Sequence, residues 1–422
     1  MTLKHRMALT VITILVAVVA VPAVASASSL WVSPSATVAG NGKGCTEPAF
    51  NSIQAAINTA GAGDTIKVCS GTYSEQLTIT KSVSLTASGT PVVKLPAVPV
   101  NSTSACGAAL AAAGHTAQDA VDICGNVAVK VSGLAFDAAW PTGTCSNDLY
   151  GIYVGAGANL SLSSSRILAA GAQPINGCQG GIGIEVGTGR TTPAETGAVT
   201  LKNDLIEGYQ KNGINILAKG SKGTLKKVTV KGAGPTNVIA QNGIEIGEGA
   251  EATVSKSSSS DNIYTPQTVV STGMIVFEST VGPSVSHSAF ENDDVGIYYT
   301  ESGTATLSVT GSKFVANTFD GVFFEEGNTV LNKDTFNGGE DAIGMDQNSG
   351  ETSGPTGTGT SDKIENMSSY AVIGFSDKVA GDPVGSFKIT NSKISNNPAG
   401  ASVQHSVFSE SNSLEIITEK DS

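Results

Sequence analysis

Gly243-Ile244-Glu245-Ile246 is one copy of a phrase that the chain repeats between Gly151 and about Asp346: glycine, apolar, variable, apolar. The other copies open at Gly151, Gly181, Gly213, Gly273, Gly296 and Gly321, and a weaker copy opens at Gly344. Successive glycines are separated by 30, 32, 30, 30, 23, 25 and 23 residues. A period in this range indicates a repeat architecture, in which each unit buries its apolar face only by stacking on its neighbours.

The repeated units have the pattern of short β-strands. Each phrase alternates apolar and variable residues, which is the period of a strand with one buried face. A second phrase of the same kind, such as Val309-Thr310-Gly311-Ser312-Lys313-Phe314, follows in each unit. Apolar residues spaced by three and four, as in a helical repeat, are missing, and a propeller blade needs about 40 residues. The units therefore predict an all-β parallel β-helix with three short strands in each coil, stacked at about 4.8 Å.

The composition fits a folded, acidic chain. It has 422 residues, of which 50 are glycine, 40% are hydrophobic and 14% are charged, and its net charge is −12. Such a chain is too apolar for disorder. An acidic protein without basic clusters in its sequence is a poor binder of nucleic acid or anionic membranes, and capture of acidic polysaccharides is also disfavoured.

The amino end has the pattern of a secretory signal peptide over residues 1–27. Lys4-His5-Arg6 is a basic start, Ala8 to Val21 is an apolar run, and Ala25-Ser26-Ala27 is a small-residue cleavage site. An uncleaved membrane anchor is the alternative interpretation. We therefore expect a secreted or cell-surface protein with a single domain over residues 28–422.

A short amphipathic helix is predicted over residues 51–61, just before the first strands. Ile53, Ala56 and Ile57 share one face, and Gly61 can end the helix. An apolar helix face at this point would cover the open end of a solenoid core.

The runs Ile53–Ile57, Gly63–Val68, Gly71–Glu75 and Ile79–Leu85 resemble the first coil of pectin-lyase-like right-handed parallel β-helix proteins. That superfamily includes pectate lyases, pectinesterases, polygalacturonases and alginate epimerases. The resemblance implies a right-handed coil and an extracellular polysaccharide or cell-envelope glycan as the partner, but it specifies activity poorly. Within the motif, Asp64 and Glu75 are predicted to be structural.

All six cysteines lie in the first half of the chain, and an even number in an exported protein suggests disulfides. Fifteen connectivities are possible, and the simplest pairs sequence neighbours. These pairs are Cys45–Cys69, Cys106–Cys124 and Cys145–Cys178. A metal site is the alternative, although no C-x-x-C is present. The Ala-rich residues 106–124 are expected to form a short helical excursion, and residues 349–361 a flexible low-complexity loop.

The variable positions of the repeated phrase are candidates for glycan binding. Outward carboxylates and amides next to exposed aromatic rings suit sugars, which present hydroxyl edges and flat C–H faces. The candidates are Tyr153, Glu185, Asn215, Glu245, Tyr298, Phe323 and Glu325, with Glu185 and Glu325 placed one row beyond the others. An ordinary solvated sheet face is the alternative.

Asn317-Thr318-Phe319-Asp320-Gly321 precedes the acidic pair Glu340-Asp341 by about one coil, which is similar to the carboxylate motifs of polygalacturonases. The resemblance implies catalytic roles for Asp320, Glu340 and Asp341, because inverting glycosidases use one carboxyl as acid and another as base. Phe319 interrupts the first motif, and the later Gly-His-Gly and Arg-Ile-Lys stretches of that family are absent. Turn formation is the alternative role.

Calcium is a possible ligand, held by Asp261, Asp293 and Asp294; no other cofactor is expected. The sequence thus predicts an exported β-helix protein that engages an extracellular polysaccharide, without deciding whether it cleaves the polymer. A glycoside hydrolase and a non-catalytic structural or adhesive protein are the alternatives.

Overall fold

The structure is a computed structural model that describes residues 27–35, 41–140, 145, 148–347, 354–376, 385–397 and 415–418. The predicted signal peptide, apart from residue 27, lies outside the described residues. No helix among the described residues is long and apolar enough to cross a membrane.

The described residues form two helices and many short strands. The helices are α1 (Ile53–Thr59) and α2 (Ala105–Ala112). The first eleven strands are β1 (Ser29–Val32), β2 (Thr65–Ser74), β3 (Leu77–Ile79), β4 (Ser84–Lys94), β5 (Ala117–Cys124), β6 (Ala128–Ser132), β7 (Ala135–Trp140), β8 (Asp148–Gly155), β9 (Ala158–Ser163), β10 (Arg166–Ala172) and β11 (Ile182–Val186). The next eleven are β12 (Gly197–Lys202), β13 (Leu205–Glu207), β14 (Asn212–Ile216), β15 (Lys222–Lys226), β16 (Thr229–Thr236), β17 (Asn242–Ile246), β18 (Glu251–Ser255), β19 (Ser258–Tyr264), β20 (Thr272–Phe277), β21 (Ser284–Ser286) and β22 (Ala289–Glu291). The last eleven are β23 (Val295–Thr300), β24 (Thr306–Thr310), β25 (Lys313–Phe324), β26 (Asn328–Asn332), β27 (Thr335–Gln347), β28 (Thr356–Thr360), β29 (Lys363–Glu365), β30 (Val372–Ser376), β31 (Ser386–Thr390), β32 (Lys393–Ser395) and β33 (Glu415–Thr418).

The strands pair in three parallel series, and each coil contributes one strand to each series. Sheet 1 contains β1, the first parts of β2 and β4, then β6, β9, β12, β15, β18, β21, β24, β26, β28, β31 and β33. Sheet 2 contains the second parts of β2 and β4, then β7, β10, β13, β16, β19, β22, the first parts of β25 and β27, β29 and β32. Sheet 3 contains β3, β5, β8, β11, β14, β17, β20, β23, the second parts of β25 and β27, and β30. The predicted parallel β-helix with an amino-terminal helix is confirmed.

Like residues stack from coil to coil in the core. One inward row of sheet 3 runs through Ile152, Ile184, Ile214, Ile244, Met274, Ile297, Val322, Ile343 and Val372. Every member of this row is buried. In sheet 2, the ring of Phe314 stacks on those of Phe290 and Phe336, with centroids 5.4 and 4.7 Å away. Burial of each such side chain contributes about 1.5–3 kcal/mol to the free energy of folding. The core is therefore stabilised by many similar contributions along the solenoid axis.

The repeated glycine is required by the close approach of neighbouring coils. A Cβ on Gly213 would lie 2.5 Å from the carbonyl oxygen of Gly243 in the next coil.

The strand register also corrects the start of one repeated phrase. Ile184 pairs with Ile152 and Ile214, so the phrase in that coil opens at Gly183 and not at Gly181.

Helix α1 is capped by a carboxylate from the first coil. The Glu75 carboxylate accepts hydrogen bonds from Ser52 Oγ at 2.8 Å and from the Ile53 and Gln54 amides at 2.9 Å each. Asp64 holds a turn by accepting from the Ser28 and Gly61 amides at 2.7 and 2.8 Å. Both acidic residues of the first-coil motif therefore have structural partners.

The three nearest-neighbour disulfides are present. Cys45–Cys69, Cys106–Cys124 and Cys145–Cys178 have Cα–Cα distances of 5.7, 5.9 and 4.9 Å. The first links the segment before α1 to β2. On the chain-entropy model, closing a loop of this length stabilises the fold by about 3 kcal/mol.

Two local expectations differ from the structure. Only Ala105–Ala112 is helical in the Ala-rich region, and Ala117–Cys124 is strand β5 of sheet 3. The predicted loop 349–361 lies partly outside the described residues, but Thr356–Thr360 is strand β28. Its inward glycines are accommodated because the Phe387 ring of the next coil fills their space, 2.7 Å from where a Gly357 Cβ would lie.

Candidate functional site

The candidate site lies on the outward row of sheet 3. By register this row runs through Asp122, Tyr153, Glu185, Asn215, Glu245, Ile275, Tyr298, Phe323 and Gly344. Glu185 therefore lies in the same row as Tyr153 and Asn215, and its placement one row further on was wrong. Glu185 was placed in the wrong row because the phrase in this coil was taken to open at Gly181. The glycine that is equivalent to those of the neighbouring coils is Gly183.

The first half of the row is covered, so the prediction of an exposed face is wrong there. Tyr153 and Glu185 are 0% exposed and Asn215 is 2% exposed. A small apolar cluster, which includes Cys106 and Leu110 of α2, packs on the outward Tyr153. The excursion between β4 and β5 thus folds back over sheet 3.

Residues 187–196, between β11 and β12, also reach this face. Arg190 Nη1 lies 3.2 Å from Asp148 Oδ1 and donates to the Tyr150 hydroxyl at 3.3 Å. The Tyr153 hydroxyl donates to Glu195 Oε2 at 2.8 Å. These contacts hold the segment across the first half of the row, which therefore offers no open surface to a polymer in this structure.

Glu185 is the most unusual member of the covered half. Neither of its buried carboxylate oxygens has a hydrogen-bond partner of normal geometry. Its pKa is raised to about 8: burial is the largest cause, the nearby Glu245 and Asp148 carboxylates add to the rise, and Arg190 and Asn215 oppose it. Asp119 and Asp122 lie on β5, two strands away in sheet 3, and their pKa values are also raised by burial. The covered half is thus a buried acidic cluster that spacing arguments did not detect.

Glu245 is the first member of the open half of the row, and Glu325 lies two residues after Phe323 on the same coil. Asn212 Nδ2 donates to Glu245 Oε2 at 2.6 Å, and burial raises the pKa of the half-buried Glu245. Thr300 Oγ1 donates to Glu325 Oε2 at 2.6 Å. Burial and the Glu325 charge together raise the pKa of Tyr298. Both carboxylates are therefore held in place by neighbours on adjacent coils.

An open cleft of about 350 Å³ lies beyond Ile275. Its lining is Val270, Val295, Tyr298, Phe319, Asp320, Phe323, Glu340 and Asp341. The Tyr298 and Phe323 rings, in register on neighbouring coils, meet edge to face with centroids 5.4 Å apart. The structure therefore brings two predicted binding residues and all three predicted catalytic residues to one cleft.

The acidic side of the cleft pairs carboxyl groups from adjacent coils. Asp320 in β25 is in register with Asp341 in β27. Burial, with the Asp341 and Glu340 charges, raises the pKa of Asp320 well above its usual range. Asp341 accepts from the Tyr370 amide at 2.6 Å, which opposes the rise that burial causes in its pKa. Glu340 is exposed at the rim.

Gly344 makes this arrangement possible. It follows Phe323 in the outward row, and a Cβ there would lie 2.3 Å from Asp320 Oδ1 and 2.7 Å from Phe323 Cδ2. The missing side chain lets Asp320 and Phe323 lean over the next coil. Chemically, the cleft offers aromatic faces, a carboxyl that favours its protonated form, and a second carboxyl with a lower tendency to hold its proton.

The possible calcium ligands do not form one site. Asp293 Oδ1 accepts from the amide and side chain of Asn262, at 3.0 and 2.8 Å. Asp294 Oδ2 accepts from the Tyr264 and Ser271 amides, and Asp261 lies 3.7 Å from Lys231 Nζ. Within the described residues these three carboxylates are not close enough together to share an ion. The first two are instead part of the hydrogen bonding between coils.

Comparisons with known proteins agree with this architecture. Residues 150–353 match the family model described as right handed beta helix region. A comparison with curated proteins found no match. The three parallel sheets and the family match over residues 150–353 agree on a right-handed parallel β-helix fold, which is the fold that the first-coil resemblance implied.

Several solved structures are similar in outline. The Agl-KA catalytic domain has a TM-score of 0.47 and 11% identity, over 86% of this chain and 64% of that one. The catalytic domain of a GH87 alpha-1,3-glucanase in complex with tetrasaccharides has a TM-score of 0.48 and 10% identity, over 88% and 66%. The periplasmic alginate epimerase AlgG has a TM-score of 0.46 and 9% identity, over 85% and 77%. The chain thus spans slightly less than two thirds of the first two, and likenesses at these scores carry no argument about activity.

The raised pKa of Glu185 predicts how stability depends on pH. A carboxyl whose pKa is raised by folding stabilises the fold fully below its unfolded pKa, and this contribution is lost as pH rises through the folded pKa. We therefore expect the free energy of unfolding to fall between pH 5 and pH 8. Glu185→Gln, which mimics the protonated side chain, should reduce that fall, as measured by urea titration at several pH values.

The matched control is Glu278→Gln, which removes an exposed carboxylate and should leave the pH dependence unchanged. A Glu185→Gln protein with the same pH dependence as the parent would contradict the assignment of a buried, proton-binding Glu185.

Proposed function

We propose that this protein binds a neutral extracellular polysaccharide in the cleft on the open half of sheet 3. The observation that carries the proposal is the pair of partly exposed rings, Tyr298 and Phe323, beside the Asp320 and Asp341 carboxyl groups. Sugar rings present C–H faces that pack on aromatic rings and hydroxyl groups that donate to carboxylates.

The charge of the cleft favours a neutral polymer. Its lining has three acidic side chains, and none of the described lining residues is basic. A uronate or sulfated sugar would meet like charge in a half-buried setting, which costs binding free energy and discriminates against that ligand. A neutral sugar can exchange hydrogen bonds with these carboxyl groups and meets no charge repulsion there.

The shape of the surface favours an extended chain. Coils that stack in register repeat the same outward position at steps of about 4.8 Å, so the row is linear along the solenoid axis. The covered half of the row, which ends at the buried Asn215, limits the open half on one side. A polymer segment lying from Glu245 towards Phe323 would follow the axis and contact several coils.

The disulfides support a location outside the cytoplasm. Three cross-links in one chain suit an oxidising compartment, because cytosolic thiols are kept reduced. We propose export to the cell exterior through the predicted signal peptide, where a neutral cell-envelope or environmental polysaccharide would be available.

Glycoside hydrolysis is the second candidate function, and the Asp320–Asp341 pair favours it. Asp320, with the more strongly raised pKa, would protonate the leaving glycosidic oxygen, and Asp341 would act on water or on the sugar. Glu340 at the rim adds charge that keeps the proton on Asp320. Hydrolysis requires that the polymer bind in the cleft, whereas binding in the cleft does not require hydrolysis.

The binding proposal predicts a loss of affinity when the rings are removed. Tyr298→Ala and Phe323→Ala should each weaken retention of a neutral polysaccharide by about tenfold, since each removes a stacking face. The test is affinity electrophoresis against soluble neutral glucans, xylan and mannan. Tyr264→Ala, on sheet 2, is the matched control and should bind like the parent. A parent retained by none of these polymers would contradict the proposal and favour a structural role.

The hydrolytic candidate predicts that Asp320→Asn and Asp341→Asn abolish the release of reducing ends. A general acid or base supplies about 10²–10⁴-fold of the rate, so loss of either group should be severe. Retention of the polymer should persist, because the rings are intact. Glu278→Gln, which changes an exposed carboxylate outside the cleft lining, should keep activity. A parent that binds a glucan without releasing reducing ends would exclude hydrolysis and leave binding in place.

A further inference from the structure

A ridge of basic side chains lies on the turn between sheets 1 and 2, away from the cleft. From Asn203 to Asn391 each of these turns contains one residue with positive φ, and from Asn203 to Ser361 the amide of that residue donates to a carbonyl of the next coil. Successive turn residues are Asn203, Lys227, Lys256, His287, Gly311, Lys333, Ser361 and Asn391. We name Lys227, Lys256, His287 and Lys333, with the neighbouring Lys313, the basic ridge.

The basic ridge is exposed and not neutralised by ion pairs. All five side chains are exposed, and none of them forms an ion pair among the described residues. Lys227, Lys256, His287 and Lys313 line a groove of about 530 Å³, and Glu291 is the one acidic residue in that lining. This concentration of positive charge stands on a chain with a net charge of −12.

The ridge corrects the inference, drawn from the sequence, that the protein has no basic cluster. Lys227, Lys256 and His287 are 29 and 31 residues apart in the chain. Coil stacking places the corresponding turns next to each other at about 4.8 Å per coil. Because these residues are about one coil apart in the chain, they are far from each other in the sequence but aligned on the surface.

The backbone of these turns points to a role for the side chains. Lys227, Lys256 and Lys333 have φ values of 57°, 52° and 60°, a region that disfavours residues with a Cβ. Asn203, Gly311 and Asn391 hold the same position in other coils with residue types suited to it. Turn formation alone therefore does not account for lysine in three coils.

The floor beneath the ridge is rigid. Ser257 Oγ accepts from the Val228 amide at 3.0 Å, Ser288 Oγ from the Ser257 amide at 3.2 Å, and Ser312 Oγ from the Ser288 amide at 3.2 Å. This ladder fixes the spacing of the turns above it. Charges on a preorganised scaffold bind a repeating ligand with a smaller entropic cost than charges on a loop.

We propose that the basic ridge is a second binding site, which takes an anionic polysaccharide lying parallel to the solenoid axis. A polymer with regularly spaced carboxylate, sulfate or phosphate groups can meet a basic side chain on each successive coil. The lining of the groove has one imidazole, His287, and no Phe, Tyr, Trp or Arg side chain, the groups that stack most strongly on nucleobases. It also lacks the large apolar side chains that insert into a membrane surface.

The test compares dextran sulfate with uncharged dextran, two polymers that differ only in the anionic groups. The full-length protein should bind dextran sulfate, with an affinity that falls as salt rises, and should not bind dextran at this site. The triple variant Lys227→Gln/Lys256→Gln/Lys313→Gln should bind dextran sulfate about tenfold more weakly or worse. Urea titration checks that the variant is folded, which is expected because the three side chains are exposed.

The matched control changes the same charge elsewhere, as Lys43→Gln/Lys67→Gln/Lys219→Gln. It should retain nearly all of the affinity, and so should Tyr298→Ala in the sheet 3 cleft. Equal losses in the two triple variants would overturn the proposal, because net charge alone would then govern binding. Tighter binding to a short double-stranded DNA than to dextran sulfate would overturn the assignment to a polysaccharide.

Discussion

Everything in this protein depends on the in-register stacking of one coil on the next. Each strand satisfies its backbone groups with the strands above and below, so a residue's neighbours are its equivalents in adjacent coils. The turns obey the same rule. At one series of turns the Ser312 amide donates to the Asp334 carboxylate and the Asp334 amide donates to the Asp362 carboxylate. Burial raises the pKa values of these two aspartates to about 7 and about 6. Side chains that fit the distance between adjacent coils recur at equivalent positions, and glycine occupies the positions where a side chain would not fit.

This constraint turns a row of side chains into a continuous surface. The outward row of sheet 3 is buried in its first half and open in its second half, because insertions between strands cover only the first half. In the covered half, Glu185 and its acidic neighbours are sealed beneath Arg190 and α2. In the open half, Tyr298 and Phe323 lie beside Asp320 and Asp341. The basic ridge on another edge shows the same effect, since stacking alone gathers its lysines.

Features encoded by period or by local sequence could be predicted. The glycine phrase predicted the coil, the residues around Ile53 predicted the cap, and neighbouring cysteines predicted the disulfides. The one-coil interval between Asp320 and Asp341 correctly placed these residues together, because register converts sequence distance into contact. Their catalytic roles stay predictions.

Features that depend on insertions could not be predicted in the same way. The burial of Tyr153, Glu185 and Asn215 depends on how residues 105–112 and 187–196 fold back, and neither segment follows the repeat. The placement of Glu185 failed because two glycines competed as the start of one phrase. The basic ridge was missed because a search for consecutive charges does not allow for stacking.

The central claim is that the open half of sheet 3 is a glycan-binding surface. The most direct measurement is a crystal structure of the protein with the neutral oligosaccharide that it retains most strongly. The account predicts sugar rings packed on Tyr298 and Phe323, with a hydroxyl group within hydrogen-bonding distance of Asp341. Sugar bound elsewhere, with these two rings left free, would contradict it.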